Sequence, residues 1–191
     1  MQNDKRKIIL AVTGASGSLY AGRLLESLYG LTPPLKEIAV VMSGTAREVW
    51  LHEMGEEIVL RNPAKSYDND SFFAPVASGS SAYDTMIICP ASMGTIGRLA
   101  HGTSDNLIAR AGDVMLKERR KLIIVPRETP LSLIHLRNME TLTLAGAIIC
   151  PASPSFYGKP ETIADLVDTV VGRIMVLAGF GSPHKGWMEN D

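Results

Sequence analysis

The chain has 191 residues, a length that suits one domain with its own hydrophobic core. Hydrophobic residues make up 46% and charged residues 20% of the chain, which excludes a disordered protein. The chain has 19 lysine and arginine residues against 20 acidic ones, and this net charge of -1 argues against nucleic acid as a partner.

The predicted strands are five short apolar runs rich in β-branched residues. Each run is continuously apolar instead of alternating, which is typical of strands that are buried on both faces of a parallel sheet. The runs span residues 8–13, 38–42, 86–90, 122–126 and 147–151.

The segments between these runs have the periodicity of amphipathic helices. Strands that alternate with helices indicate right-handed crossovers. We therefore predict an α/β fold, a single Rossmann-like (flavodoxin-type) domain over residues 1–191 with a doubly wound, mostly parallel sheet. The predicted helices span residues 19–29, 45–52, 105–120, 131–145 and 161–178.

Two stretches do not follow this pattern. Residues 55–82 contain many turn-forming residues and no stable period, so we expect an irregular segment that is functional or covers a partner. Residues 180–191 are polar apart from an isolated Trp187, and we expect a C-terminal tail or an arm over a neighbouring subunit.

The sequence argues against metal binding and against export. Cys89 and Cys150 provide neither a disulfide framework nor a zinc ligand set, and the four histidines are not paired at i, i+4, so no metal is expected. The apolar run near the N-terminus is too short for a signal peptide, and no apolar stretch approaches the ~20 residues of a membrane span. We expect a cytoplasmic protein without membrane contact.

The first candidate loop is Thr-Gly-Ala-Ser-Gly at residues 13–17, directly after the first strand. Ligands of doubly wound sheets bind at the carboxyl ends of strands, and small residues there let backbone N–H groups approach an anion or a flavin edge. The next helix would direct its positive end at the same ligand. The loop is neither a complete dinucleotide-binding motif nor a P-loop, so a tight turn without a ligand is the alternative.

Two further loops have the same character. Residues 43–45 open a helix in which Thr45 and Glu48 form a capping-box pattern, and a plain N-cap is the alternative. Residues 92–95, Ser-Met-Gly-Thr, lie between a strand and a helix, and their hydroxyl and N–H groups could hold a phosphate or a polyol. Three such loops together favour a nucleotide-type ligand more strongly than any one of them.

Charged and aromatic residues add further candidates. Arg110 and Lys117 lie two helical turns apart, so they share a face and could bind one anion, or could form a solvated stripe. Arg127 and Glu128 stand between two prolines after the fourth strand, which favours anion binding by Arg127 and proton transfer by Glu128. Tyr157, after the fifth strand, either contacts a ligand or is a half-buried loop residue.

These motifs occur in the same order in the UbiX-like flavin prenyltransferases, a family that the chain resembles over nearly its whole length. The resemblance implies transfer of a dimethylallyl group from dimethylallyl phosphate to N5 and C6 of reduced FMN, without a metal. It also implies that the product, prenylated FMN, serves a partner decarboxylase. The motifs lie at residues 13–17, 78–81, 89–95, 105–110, 116–120, 125–128 and 155–157.

The resemblance also implies roles for individual residues, matched position by position, and a homododecamer whose sites lie between subunits. The reacting centre would contain Ser16, Glu53 and Glu128. The prenyl phosphate would contact Tyr157 and Arg173, with Arg110, Lys117 and Arg127 around the leaving phosphate. The FMN contacts would be Gly14, Ala15, Ser16, Ser43, Ser92, Met93, Gly94, Thr95 and Arg127.

Two alternatives remain open at this point. A related flavin-dependent cysteine decarboxylase would use an Asn-bearing motif and a catalytic histidine, whereas this chain has Arg127 and Glu128 in the equivalent loop. An FMN carrier or chaperone without catalysis would need the flavin loops but neither Glu128 nor the basic pair Arg110 and Lys117.

Overall fold

A computed structural model describes residues 5–181 of the chain, and all its strands belong to one parallel sheet. The strand order is β3-β2-β1-β4-β5-β6, which is the Rossmann order and not the flavodoxin order. The predicted doubly wound parallel sheet is therefore confirmed. The strands are β1 (Lys7–Val12), β2 (Glu37–Met42), β3 (Ala64–Asp68), β4 (Tyr83–Ala91), β5 (Lys121–Pro126) and β6 (Ile148–Ile149).

Within residues 5–181, six α-helices cover the two faces of the sheet, three on each. One face carries α1 (Ser18–Tyr29), α2 (Gly44–Met54) and α6 (Ile163–Ala178). The other face carries α3 (Met93–Ala100), α4 (Leu107–Lys117) and α5 (Leu133–Leu144). Among residues 5–181, no helix is long and apolar enough to cross a membrane.

The central strands are buried on both faces, as their continuous apolar runs predict. On β1, Ile8 and Leu10 pack into the core on the α1 side. Ile9 and Ala11 pack into the core on the α4 side. Successive side chains of a strand point to opposite faces, so a strand between two helical layers needs apolar residues at every position.

The segment at residues 55–82 is not irregular throughout, which corrects the prediction. It contains β3 and a 3-10 turn at Pro75–Ala77. The β3 sequence Ala-Lys-Ser-Tyr-Asp lacks an apolar run because β3 is an edge strand whose residues are exposed or half-buried. In the described part of the chain the sheet therefore has six strands, where five were predicted.

Two smaller predictions also need correction. The N-cap of α2 is Ser43, whose Oγ accepts a hydrogen bond from the Ala46 N–H at 3.1 Å, and not the predicted capping box of Thr45. The predicted tail begins too early, because Phe180 is 5% exposed and packs under the Arg6 guanidinium at 4.3 Å. Trp187 lies outside the described residues.

Candidate active site

The loops after β1 and β4 meet at the centre of the carboxyl edge of the sheet, at the point between β1 and β4 where the strand order reverses. Thr13 ties them together. Its buried hydroxyl donates to the Pro90 carbonyl at 2.8 Å and accepts from the Ser92 N–H at 2.7 Å. Ligands of open α/β sheets bind at this switch point. The structure therefore joins two loops that sequence reasoning treated separately, through a role of Thr13 that the sequence analysis did not assign.

The loop after β2 joins the same surface through a close approach at Gly14. A Cβ atom on Gly14 would lie 2.6 Å from the Thr45 Cγ2 atom, so no larger residue fits there without moving α2. The Ser43 N–H donates to the Val12 carbonyl at 3.1 Å, which holds the start of α2 beside β1. Three small, hydroxyl-bearing loops thus form one continuous surface.

Helix α3 begins in this surface with two hydroxyl groups. Ser92 is its N-cap, and the Ser92 Oγ accepts from the Thr95 N–H at 3.4 Å. The two hydroxyls lie 3.1 Å apart. A helix N-terminus carries partial positive charge, so this arrangement suits the phosphate of a nucleotide-type ligand.

The N-terminus of α1 is occupied by a carboxylate from the protein itself. Glu53 on α2 accepts hydrogen bonds from the Gly17 N–H at 3.0 Å and the Ser18 N–H at 2.7 Å. Burial raises the pKa of Glu53, but hydrogen bonds from Ser16, Ser18 and Gly17 outweigh it and lower the pKa. The expectation that α1 directs its positive end at a ligand is therefore wrong, because Glu53 holds that position. Glu53 is ionised and fixed beside Ser16.

Arg127 and Glu128 stand at the rim of the same surface, after β5. The Arg127 Nε donates to the Ser16 carbonyl at 2.9 Å, which joins the rim to the β1 loop. Glu128 is exposed, and its Oε1 accepts from the adjacent Thr129 N–H at 2.9 Å. Ser16, Glu53 and Arg127 are thus brought together, while Glu128 faces solvent.

Tyr157 and Arg173 lie on the two elements that follow β6, the loop after it and α6. Tyr157 is 73% exposed in the loop after β6, and this loop is anchored to α6 by the Ser155 N–H, which donates to Thr169 Oγ1 at 3.1 Å. Arg173 is exposed on α6. Burial raises the pKa of Cys150, and the nearby charge of Arg173 lowers it in part. Arg173 therefore lies near the end of β6, and Tyr157 stands in the loop that follows this strand.

Arg110 and Lys117 share the outer side of α4, as their spacing predicts. The Arg110 Nε donates to the Ala77 carbonyl at 3.1 Å, and its Nη1 pairs with Asp113 at 2.7 Å. Lys117 forms an ion pair with Glu118. Both cations are thus held by groups of their own chain.

Lys117 lies far from the rest of the predicted site. It ends α4 directly before β5 begins, so it stands at the amino edge of the sheet. Arg127 follows the opposite end of β5, whose six residues span roughly 17 Å. A single chain therefore does not bring Lys117 to its own Arg127.

Sequence reasoning also missed how the segment after β3 attaches to α4. The Asn69 carbonyl accepts from the Leu107 N–H at 2.7 Å, and its Oδ1 accepts from the Ile108 N–H at 3.1 Å. Asn69 therefore caps α4 from a distant part of the chain. Its neighbours Asp68 and Asp70 make it resemble an ordinary turn residue, so the local sequence gives no signal of this contact.

The flavoprotein family matches residues 1–175 of the chain. The flavin prenyltransferase UbiX of Thermoplasma acidophilum is 47% identical over 178 residues, which cover 92% of this chain and 96% of the relative. Among residues 5–181, no group of three or more histidine, cysteine or acidic residues could hold a metal ion.

Two solved structures are similar in both sequence and fold. AnUbiX (PadA1), in complex with FMN and dimethylallyl pyrophosphate, has a TM-score of 0.84 and 39% identity, with 96% of this chain and 99% of that chain covered. The dodecameric FMN-dependent UbiX-like decarboxylase of Escherichia coli O157:H7 has a TM-score of 0.86 and 36% identity, with 96% and 100% covered. The chain therefore belongs to the flavoprotein family and, within it, to the UbiX-like flavin prenyltransferases.

Proposed function

We propose that the protein transfers a dimethylallyl group from dimethylallyl phosphate to N5 and C6 of reduced FMN, and releases prenylated FMN and phosphate. The observation that carries this proposal is the continuous surface of three small loops at the switch point, with Arg127 and Glu128 at its rim. A relative of similar fold binds FMN together with dimethylallyl pyrophosphate, which supports the same pair of ligands here.

The described residues fit a flavin at this surface. The close approach at Gly14 leaves backbone N–H groups accessible, and the hydroxyls at the starts of α2 and α3 suit the ribityl chain and phosphate of FMN. Because Glu53 occupies the start of α1, the phosphate belongs at α2 or α3. The residues that would hold FMN are Gly14, Ala15, Ser16, Ser43, Ser92, Met93, Gly94, Thr95 and Arg127.

The prenyl phosphate would lie between this surface and a set of cations. Tyr157 and Arg173 would bind it from the β6 side, and Arg127 from the rim. Lys117 stands at the opposite edge of its own sheet, so it can serve only the site of a neighbouring copy. Arg110, on the same outer face of α4, would accompany it. The site would therefore lie between subunits.

The surface of α5 supports assembly into a homo-oligomer. Leu133, Ile134 and Leu144 are between 62% and 82% exposed in the single chain. Large exposed apolar patches mark sites of protein–protein contact. The dodecameric relative from Escherichia coli supports the same assembly here.

The residues present can perform the chemistry. Reduced FMN, when bound, supplies the electron-rich N5 and C6 atoms that the prenyl carbons join. Cleavage of the prenyl C–O bond leaves an electron pair and additional negative charge on phosphate, which fixed Arg and Lys side chains stabilise. Formation of the N5–C bond would release the N5 proton to the phosphate. Ring closure would then add one proton to the alkene carbon next to the one that joins C6, and would remove the proton from C6. Glu128 would move these protons, while ionised Glu53 would fix Ser16 beside the flavin.

Two other functions would leave the flavin mass unchanged in one experiment. A carrier would bind FMN without changing it, and a decarboxylase, as the Escherichia coli relative is described, would act on a carboxylate substrate instead. Purified protein would be incubated anaerobically with reduced FMN and either dimethylallyl phosphate or the diphosphate, and the flavin mass measured. We expect the flavin to gain one five-carbon unit. An unchanged flavin mass with both donors would contradict the proposal.

The shared site has its own test. Lys117→Ala subunits and Glu128→Gln subunits would be assayed alone and after assembly into mixed oligomers. If Lys117 acts on the site of a neighbour, some mixed sites contain both intact residues, and activity should return. Failure of the mixture to exceed either variant would contradict action across the subunit boundary. We propose further that the product serves a prenyl-FMN-dependent decarboxylase, whose activation by the reaction mixture would be measured in the same assay.

A further inference from the structure

The loop at residues 78–81, Ser-Gly-Ser-Ser, lies directly on the C-terminal end of α4. The Arg120 guanidinium donates to the Ser81 carbonyl at 2.7 Å and to the Gly79 carbonyl at 2.5 Å. Within the loop, the Ser81 Oγ donates to the Ser78 carbonyl at 2.7 Å. The loop is therefore braced internally and fixed to the turn that follows α4.

The turn after α4 directs Arg120 toward this loop. Arg119 has a φ of 55°, a left-handed conformation that is uncommon for a residue with a side chain. The next N–H, that of Arg120, donates to the Met115 carbonyl at 2.8 Å, which closes the helix end. A strained residue thus orients the side chain that holds the loop.

Gly79 allows this loop to approach the side chains at the end of α4. A Cβ atom on Gly79 would lie 2.9 Å from the Lys117 Nζ and closer still to the Glu118 Oε1. Distances below about 3 Å are not found for real Cβ atoms. The φ of Gly79 is not among the left-handed values of the chain, so the backbone itself does not require glycine there. The atoms that a side chain at residue 79 would displace are instead the tips of Lys117 and Glu118.

We propose that Gly79 is a positioning residue for Lys117, and that it sets where the Lys117 ammonium stands for the prenyl phosphate of a neighbouring site. This inference rests on the proposed function, which gives Lys117 its ligand. The Glu118 carboxylate pairs with Lys117 on one side, and the bare Gly79 backbone leaves space on the other. A methyl group at residue 79 occupies that space, so the Lys117 tip must move.

The atoms that would move are the far ends of flexible side chains, and not backbone. Glu118 and Lys117 can rotate away at little cost to the fold, so Gly79→Ala should leave the chain folded. The position of the ammonium would change by ångströms, and displacements of about 1 Å can reduce rates up to about 100-fold in a preorganised site. Gly79→Ala should therefore change the position of the Lys117 ammonium without changing the stability of the fold.

The test is steady-state kinetics of Gly79→Ala with dimethylallyl phosphate under anaerobic conditions. We expect the KM for the prenyl donor to rise about tenfold and kcat to fall as well, because Lys117 also stabilises the charge that develops on the leaving phosphate, while FMN affinity and melting temperature stay unchanged. Gly30→Ala is the matched control, because a Cβ there meets ordinary contacts of 3.6 Å and the residue lies at the end of α1. The control should match wild type in every one of these measurements.

A double-substitution cycle decides whether the effect passes through Lys117. Lys117→Ala alone should raise the KM about 10- to 150-fold, and Gly79→Ala should add nothing in that background. If Gly79→Ala raises the KM equally with and without Lys117, or has no effect while Lys117→Ala does, the positioning role is overturned and the phosphate role stands. If Lys117→Ala leaves the KM unchanged, both the phosphate role and the positioning role are overturned.

Discussion

The amino and carboxyl edges of the sheet, which lie at the two ends of the strands, each hold a glutamate. The surroundings of these two carboxylates are opposite. At the amino edge, Glu37 is 6% exposed and accepts hydrogen bonds from Tyr83 at 2.6 Å, Tyr67 at 2.9 Å and Lys7 at 3.1 Å. At the carboxyl edge, Glu128 is exposed and accepts from the N–H of its own neighbour in the chain. The first carboxylate is enclosed by its partners, and the second is open to a ligand.

This difference indicates that Glu37 stabilises the fold, whereas Glu128 is accessible for proton transfer. Burial alone raises the pKa of Glu37, but hydrogen bonds from Tyr83, Lys7 and Tyr67 outweigh it and lower the pKa to about 2. Its interactions are complete before any ligand arrives, so they contribute to folding. We therefore expect substitutions at the amino edge to change stability, and substitutions at the carboxyl edge to change turnover.

The largest effect is expected at Glu128. Glu128→Gln keeps the size and a hydrogen-bonding oxygen but removes the proton acceptor. Turnover of dimethylallyl phosphate should fall by roughly 10²- to 10⁴-fold, the usual contribution of a general acid or base. FMN affinity and the free energy of unfolding should stay at wild-type values, because the side chain is exposed.

Anaerobic turnover and flavin titration of the same preparation would measure both quantities. Near-normal turnover would assign the proton transfers to the released phosphate or to another group. A loss of FMN affinity equal to the loss of turnover would place Glu128 in flavin binding instead.

The contrast between the edges also explains what could be predicted from the sequence. The central strands were predictable because burial on both faces requires a continuous apolar run, and such a run is visible in the local sequence. The strand β3 was not predictable, because this polar pentapeptide forms the outermost strand of the sheet and contains no apolar run. Its place is set by pairing with β2, from Ile38↔Ala64 to Met42↔Asp68, which is a non-local property.

The candidate site divides in the same way. The loops at residues 13–17 and 92–95 were predictable because each follows a buried strand directly. The contact of Glu53 with the start of α1 was not, because it joins residues 35 positions apart through a side chain. The position of Lys117 was also not predictable. Its spacing from Arg110 indicates a shared helix face, but it does not indicate whether Lys117 lies at the amino or the carboxyl edge of the sheet.

The second prediction concerns Glu37. Glu37→Gln removes the charge that Lys7, Tyr67 and Tyr83 surround, and it should lower the free energy of unfolding by about 3 kcal/mol. Turnover and the KM values should not change, because the residue lies at the edge opposite the site. Urea unfolding and steady-state kinetics would measure the two effects.

Glu26→Gln is the matched control for this substitution. Glu26 also forms an ion pair, with Arg61, but both side chains are more than half exposed. Exposed pairs contribute about 0–1 kcal/mol, so this variant should stay close to wild type. Equal destabilisation by the two substitutions would contradict the contribution assigned to burial.

The third prediction is an acid-sensitive stability that originates at the amino edge. The pKa of Glu37 is about 2 in the folded chain against an ordinary value of 4.5. A lowered pKa means that the contribution is present above the unfolded value and is lost as the pH falls through the folded one. By pH 3 the loss should reach about 2 kcal/mol, and it should be absent in Glu37→Gln. Unfolding curves from pH 6 to pH 3 would measure it, and parallel losses in both proteins would contradict it.

The smallest expected effect on stability comes from replacing a helix N-cap. One N-cap, Ser92, lies inside the candidate site, and another, Asn106, lies outside it. Ser92 caps α3 at the carboxyl edge, and Asn106 caps α4 through its Oδ1, which accepts from the Ala109 N–H at 2.9 Å. Replacing either residue by alanine should lower the free energy of unfolding by about 1 kcal/mol, because each loses one cap.

The two variants should differ in flavin binding. If the Ser92 hydroxyl also contacts FMN, Ser92→Ala loses one further hydrogen bond, worth about 0.5–1.5 kcal/mol, and its FMN affinity should fall by about 2- to 10-fold. Asn106→Ala should bind FMN as wild type does. Fluorescence titration of flavin into both proteins would separate the two roles of a cap. Equal affinities would show that Ser92 serves α3 alone, and the flavin phosphate would then belong at Ser43 and the start of α2.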